Sequence, residues 1–185
     1  TTPAIIANYQ INASTRWNTK LFATIGNRNS VGYTSAITVK DSINPATGNY
    51  NNRVLNGDKY RNYALESRII TDYTLFDRNH TFSGGIRLYT GSTFRQSNGK
   101  GTTGSNYDMR VADIYPTDIR FDSRNLAAFA ENIFRISDQL LLIPGIRYEW
   151  LEGSASGRNG FTTAGAPIQL QNIQRSRSFW LAGVG

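Results

Sequence analysis

Cysteine is absent from the 185 residues, and His and Met occur once each, as His80 and Met109. Without Cys there is no disulfide framework, no thiolate metal site and no Cys nucleophile. No stretch of 18 or more apolar residues occurs, which rules out a transmembrane helix. Helical periodicity is nearly missing too, since apolar residues rarely recur at i, i+3 and i+4. Lysine is scarce (Lys20, Lys40, Lys59 and Lys100), and the arginines behind the net charge of +7 are scattered along the chain. A nucleic-acid surface needs cations clustered on one face, so no nucleic-acid partner is expected. No G-x-S-x-G is present and no nucleophile can be matched with a base, so no catalytic residue and no enzyme activity are expected. Neither a signal peptide nor an initiator Met opens the chain, which is therefore read as a mature or internal segment.

What is present is Asn, Thr, Ser and Gly in quantity, with ten Tyr, nine Phe and three Trp. That aromatic content is too high for a disordered chain. Composition alone fits an all-β protein, either soluble or of the bacterial outer membrane. Period-two alternation predicts strands at about 4–17, 20–31, 61–76, 80–96, 124–136 and 139–151, and a seventh from about 177. Short polar turns are expected near 18–20, 77–80 and 137–139. Long Gly- and Asn-rich loops are expected at 32–60, 97–123 and 152–176. Short and long connections alternate, the layout of antiparallel strands with turns at one end and loops at the other.

The strands are two-faced. One face carries Ile5, Tyr9 and Trp17, then Leu65, Ile69 and Tyr73. It continues with Phe82, Ile86 and Leu88, with Leu126 and Phe134, and with Ile146, Tyr148 and Trp150. Within 5–17, 63–75, 82–94 (with Arg95 just beyond), 126–136 and 140–150 the charged residues all fall on the other face: Arg16, Glu66, Arg68, Asp72, Arg87, Arg95, Glu131, Arg135, Arg147 and Glu149; strand 20–31 sorts less clearly. A cation facing lipid at the bilayer midplane costs about 2–4 kcal/mol in a barrel strand, whereas a watery lumen imposes no such cost. A soluble sandwich also has an apolar inner face. Two features favour the membrane. Aromatics gather near both ends of the apolar faces, as girdles do. The strands are also far longer than the usual five or six residues.

The stretch Phe129-Ala130-Glu131, a short polar turn, then Pro144-Gly145-Ile146-Arg147-Tyr148-Glu149 resembles the TonB-dependent outer-membrane receptors, in which F-x-E precedes P-G-h-R-h-E, with h apolar. Arg61–Arg68 followed by His80–Tyr89 is similar to another hairpin of that barrel. The style is nearest to the ferric dicitrate receptor branch. The resemblance implies an all-β, antiparallel up-and-down transmembrane β-barrel of about 22 strands, of which residues 1–185 supply about seven. It implies a plug domain, which this chain lacks, and a bacterial outer-membrane location. It further implies uptake of a ferric chelate (a siderophore or ferric citrate) or a similar nutrient. The partners it implies are outer-membrane lipid, the plug and the rest of the barrel, and the TonB energy-coupling protein acting through the missing N-terminal part. A small self-contained barrel with a structural or adhesive role, and a soluble β-sandwich binding module, are the alternatives.

Candidate ligand-binding residues are Arg87 and Arg95 on the polar face and Arg120 in the loop 97–123, because Arg pairs two carboxylate oxygens at once. Against this, lumen charges can simply pair across strands, as Glu131 with Arg147 or Glu66 with Arg87. Arg68 and Asp72 are expected to contact a plug or each other. Gly99-Lys-Gly101-Thr-Thr-Gly104 matches G-x-G-x-x-G, but no helix follows to hold phosphate, so a loop is expected. Asp108, Asp113, Asp118 and Asp122 lack the tight spacing of an EF-hand and are read as solvated loop charge. His80 is placed in a turn without partners. No metal site and no resident cofactor are expected, a ferric chelate being cargo.

Overall fold

The computed structural model describes residues 1–185, the side chain of Asn172 excepted. Its elements are β1 (Ala4–Gln10), β2 (Thr15–Gly32), β3 (Ile43–Asn44), β4 (Asn49–Tyr50), β5 (Val54–Leu75), β6 (Arg78–Lys100), β7 (Thr117–Arg135), β8 (Leu141–Leu142), β9 (Pro144–Phe161) and β10 (Pro167–Val184). Seven lie side by side in chain order, β1-β2-β5-β6-β7-β9-β10, each antiparallel to the next. β8 adds two residues to the end of β7, and β3 with β4 forms a separate small hairpin. β1 and β10 each keep one edge that no described residue pairs, so the sheet is an unclosed meander.

Register turns the alternation into continuous bands. Ile5, Leu21, Leu65, Leu88, Leu126 and Trp150 are successive cross-strand partners. One residue over, on the opposite face, the row reads Ile6, Lys20, Glu66, Arg87, Ala127 and Glu149. A slip of one residue would exchange the two faces, so the register is strongly specified. All ten charged residues assigned to a common face lie on the Lys20 side. The apolar face has no covering layer: Ile69, Ile86, Leu126 and Ile146 are 46%, 46%, 41% and 48% exposed. A contiguous apolar surface of this kind needs a non-aqueous partner. Its height fits one. Tyr63 to Tyr73 along β5 spans about 34 Å, or about 25 Å along the bilayer normal at the usual strand tilt.

The strands run well past that band, β5 for 22 residues and β6 for 23. A tilted crossing needs only about 9–11. The loops are therefore shorter than the expected 32–60, 97–123 and 152–176. They reduce to 33–53, 101–116 and 162–166, the last a mere five-residue connection. Outside lipid no alternation is imposed, and the extra strand length reads in sequence as loop.

The expected turn at 18–20 is also corrected. Asn18, Thr19 and Lys20 lie inside β2, and the chain reverses at 11–14. There the Asn12 Oδ1 accepts the N–H groups of Ser14 (3.0 Å) and Thr15 (2.8 Å), a side-chain turn. The hairpin β5–β6 reverses at Phe76 and Asp77, both at positive φ (52° and 58°). That is the twist a two-residue hairpin wants, although neither residue is Gly.

His80 is not partnerless. It is 5% exposed on β6, wedged between the rings of Tyr73 and Phe134 (centroids 5.4 and 5.6 Å away). Its Nδ1 accepts the Arg135 N–H at 3.1 Å, so Nε2 carries the proton and donates to the Leu75 carbonyl at 3.1 Å. One imidazole thus closes backbone groups where the β6–β7 pairing stops. Close approach also fixes Gly85, where a Cβ would sit 2.4 Å from the Ser67 carbonyl oxygen.

Two substitutions test the assignment of faces in the full-length barrel. Ile86→Arg puts a cation in mid-band, opposite Ser67, and should cost about 2–4 kcal/mol. Tyr89→Arg, three residues along but on the polar face, should leave the folded yield nearly unchanged. Heat-modifiable mobility on gels measures both; equal losses would mean the faces are misassigned.

Candidate functional site

The polar face is built from short-range charge pairing with some groups left over. Near the loop end Asp58, 2% exposed, is clamped by Arg28 on β2 and by Arg95 on β6, whose Nε donates at 3.0 Å. The Tyr60 hydroxyl donates to its other oxygen at 3.0 Å. Arg95 therefore lies where the sequence reading placed it, with one carboxylate already in hand. Its guanidinium also sits over the Phe121 ring at 5.9 Å.

Arg87 stands opposite Glu66 in register, but no ion pair within 4.0 Å joins them among the described residues. The expected Glu131–Arg147 pair is not formed. Glu131 faces Gly145, while Arg147 faces Phe129, over whose ring it lies at 5.5 Å, and it pairs with Glu149 two residues along its own strand. Asn125 donates a further hydrogen bond to Glu149. Arg68 and Asp72 do not meet either, because Asp72 accepts the Thr81 hydroxyl at 2.7 Å. The Nε atoms of Arg68 and Arg87 are buried without a partner among the described residues. A buried donor left unpaired costs about 1–3 kcal/mol.

Arg120 is corrected. It is on β7, not in a loop, and its cross-strand partner is Phe94, which puts it on the apolar face, above the band. Its Nε donates to Asp122 at 2.8 Å. Even positions of β7 from Leu126 onward are apolar but for Asn132, so continuing that parity back to 120 would have predicted the face.

The two longer loops are pinned together by a residue the sequence reading missed. Arg53, 4% exposed, pairs with Asp41 at 2.8 Å and donates to the Asn106 side chain at 2.9 Å. It lies over the rings of Tyr33 (5.7 Å) and Tyr50 (5.5 Å), which raises no local signal in sequence because these partners are 20 or fewer residues away on one side and about 50 on the other. Its backbone bonds to Thr103 and Gly101 complete the joint. The G-x-G-x-x-G stretch serves this packing: a Cβ on Gly104 would meet the Tyr50 carbonyl oxygen at 2.5 Å. Between the loops lies a cleft of about 840 Å³ lined by Tyr50, Asn52, Thr103, Tyr107, Asp108 and Arg110. The four aspartates do not converge; among the described residues no three His, Cys, Asp or Glu could hold a metal ion. Asp108 instead binds Arg110 through side chain and backbone, which holds its carboxyl well below the usual carboxylate range.

The model of the TonB-dependent receptor-like β-barrel matches residues 3–185. The chain belongs to this family. Its strands are thus barrel staves, the apolar face being the lipid side and the polar face the lumen side. Members of this family are transporters, not enzymes. Among solved structures the chain is similar to the ferric-catecholate import receptor Fiu from E. coli K12 in its open form, with a TM-score of 0.59 and 15% identity. That match covers 99% of this chain and 32% of the receptor, so the chain spans about a third of its length. No curated protein matches.

The Asp108 clamp gives a pH test. A carboxyl whose folded pKa is depressed contributes fully above its unfolded value near 4 and loses that contribution only as pH falls through the lower folded value. Exchange of the Arg110 amide should stay slow from pH 7 to below 4, after correction for intrinsic rates. Asp108→Asn should speed it throughout. Separately, Arg53→Ala should make cleavage within 33–53 and 101–116 at least about tenfold faster in limited proteolysis while the strands stay intact.

Proposed function

We propose that this chain forms part of the barrel wall of a bacterial outer-membrane TonB-dependent receptor that imports a ferric chelate, a siderophore or ferric citrate. The lumen face supports an anionic cargo: cations outnumber anions on it roughly two to one by register. Arg28 and Arg95 flank Asp58 at the loop end of that face, where cargo would enter. Arg87 lies deeper and forms no ion pair among the described residues. In this reading Arg95 meets the chelate first and Arg87 later, each offering a guanidinium to carboxylate or catecholate oxygens. The loop cleft beside Arg53 forms the outer vestibule. Arg68 and Arg87 also suit a plug domain filling the lumen, since among the described residues neither of these lumen-side cations has an ion-pair partner. Energy coupling through TonB belongs to that plug. The unpaired edges of β1 and β10 support a barrel larger than seven strands.

Growth decides the cargo. A strain lacking the receptor, starved of iron and fed single ferric chelates, should fail on one of them. Full-length receptor should restore growth, and Arg87→Ala with Arg95→Ala should restore it poorly despite normal barrel yield. Unimpaired growth of the deletion strain on every ferric chelate would sink the iron assignment.

A further inference from the structure

A groove of about 750 Å³ opens on the lipid-side face just above the apolar band. It arises from a size mismatch between neighbouring strands. Thr90 and Ser92 of β6 form a low floor, while β5 raises Lys59 and Arg61 on one side and β7 raises Arg120 and Arg124 on the other. Register stacks them in three rows: Lys59–Phe94–Arg120, then Arg61–Ser92–Asp122, then Tyr63–Thr90–Arg124–Glu152. The walls stand two strand spacings apart, about 10 Å. A phosphate fits that width with a guanidinium closing from each side and a hydroxyl beneath it.

Three of the four cations are not spent internally. Lys59, Arg61, Arg120 and Arg124 are exposed. Arg120 is held by Asp122, and among the described residues Lys59, Arg61 and Arg124 form no ion pair. Four cations against Asp122 and Glu152 leave a positive surplus. This face points away from the lumen, so the surplus has no part in moving cargo.

We propose that the groove binds the phosphate-bearing headgroup of an anionic lipid in the leaflet on the loop side. Its position selects a lipid over a free anion. On each wall and on the floor the next residue toward the membrane on the same face is apolar: Leu65 after Tyr63, Leu88 after Thr90 and Leu126 after Arg124. Acyl chains lying on those leucines lead directly to the groove. Cations at a membrane surface each strengthen such binding severalfold.

The test uses the full-length receptor released intact from detergent micelles into a mass spectrometer, with phosphatidic acid, phosphatidylcholine or inorganic phosphate added. Native receptor should retain phosphatidic acid over phosphatidylcholine by about tenfold or more. Arg61→Gln with Arg124→Gln should abolish the preference, whereas Lys40→Gln with Lys100→Gln, outside the groove, should keep it. Asp122→Asn with Glu152→Gln should increase it, and carries the test if the arginine variant fails to fold. Equal retention of the two lipids overturns the proposal. So does a preference that survives loss of both arginines, no gain on removing the two carboxylates, or displacement of phosphatidic acid by equimolar inorganic phosphate.

Discussion

Pairing of backbone polar groups inside hydrocarbon is the constraint on which the rest of this structure depends. Lipid offers no hydrogen bonds, so each N–H and C=O at membrane depth must be met by a neighbouring strand. An antiparallel ladder in chain order does this, and its period of two then forces every strand to present one face to each solvent. The band Ile5–Leu21–Leu65–Leu88–Leu126–Trp150 and the charged row beside it are consequences of one register. Polar groups on the lipid side are tolerated where they bond one another. Thr19 and Ser67 share a hydrogen bond at 3.0 Å, and the Trp17 indole donates to the same Ser67 at 2.7 Å.

Parity was legible in sequence because lipid enforces it, and boundaries were not because nothing does. Tyr9 and Trp17 were read as one strand; they are opposite each other on two, yet both keep the apolar face because the reversal at 11–14 preserves parity. Asn18-Thr19-Lys20 imitates a turn by composition, although Asn18 and Lys20 lie on the lumen side, where polarity is ordinary. Above the band both faces meet water, alternation lapses, and β5, β6, β9 and β10 extend through segments that read as loop. His80 and Arg53 escaped for another reason. Their roles rest on partners such as Arg135 and Asn106, more than 50 residues distant, that no local pattern ties to them.

Of the three candidate arginines, Arg87 and Arg95 lie on the lumen side and Arg120 does not. The difference is a matter of where the strand begins. Read as loop, position 120 has no face; read as β7 starting at Thr117, its even number places it with Leu126. A single misplaced boundary thus moved a charge from one solvent to another.

The two cationic regions differ in how their charge is spent, and that difference follows from solvent. On the lumen side carboxylates stand close by, Asp58 between Arg28 and Arg95 and Glu149 beside Arg147, because bare cations crowded in a confined channel repel one another. In the proposed reading a cargo competes with a carboxylate already in place, which favours polyanions able to engage several guanidinium groups together. On the lipid side, above the band, the surplus stands open because a membrane surface rich in anions supplies the counter-charge from outside. On the two proposals together, the same residue type serves weak, exchangeable capture on one face and standing attachment on the other, with only the parity of the strand position between them.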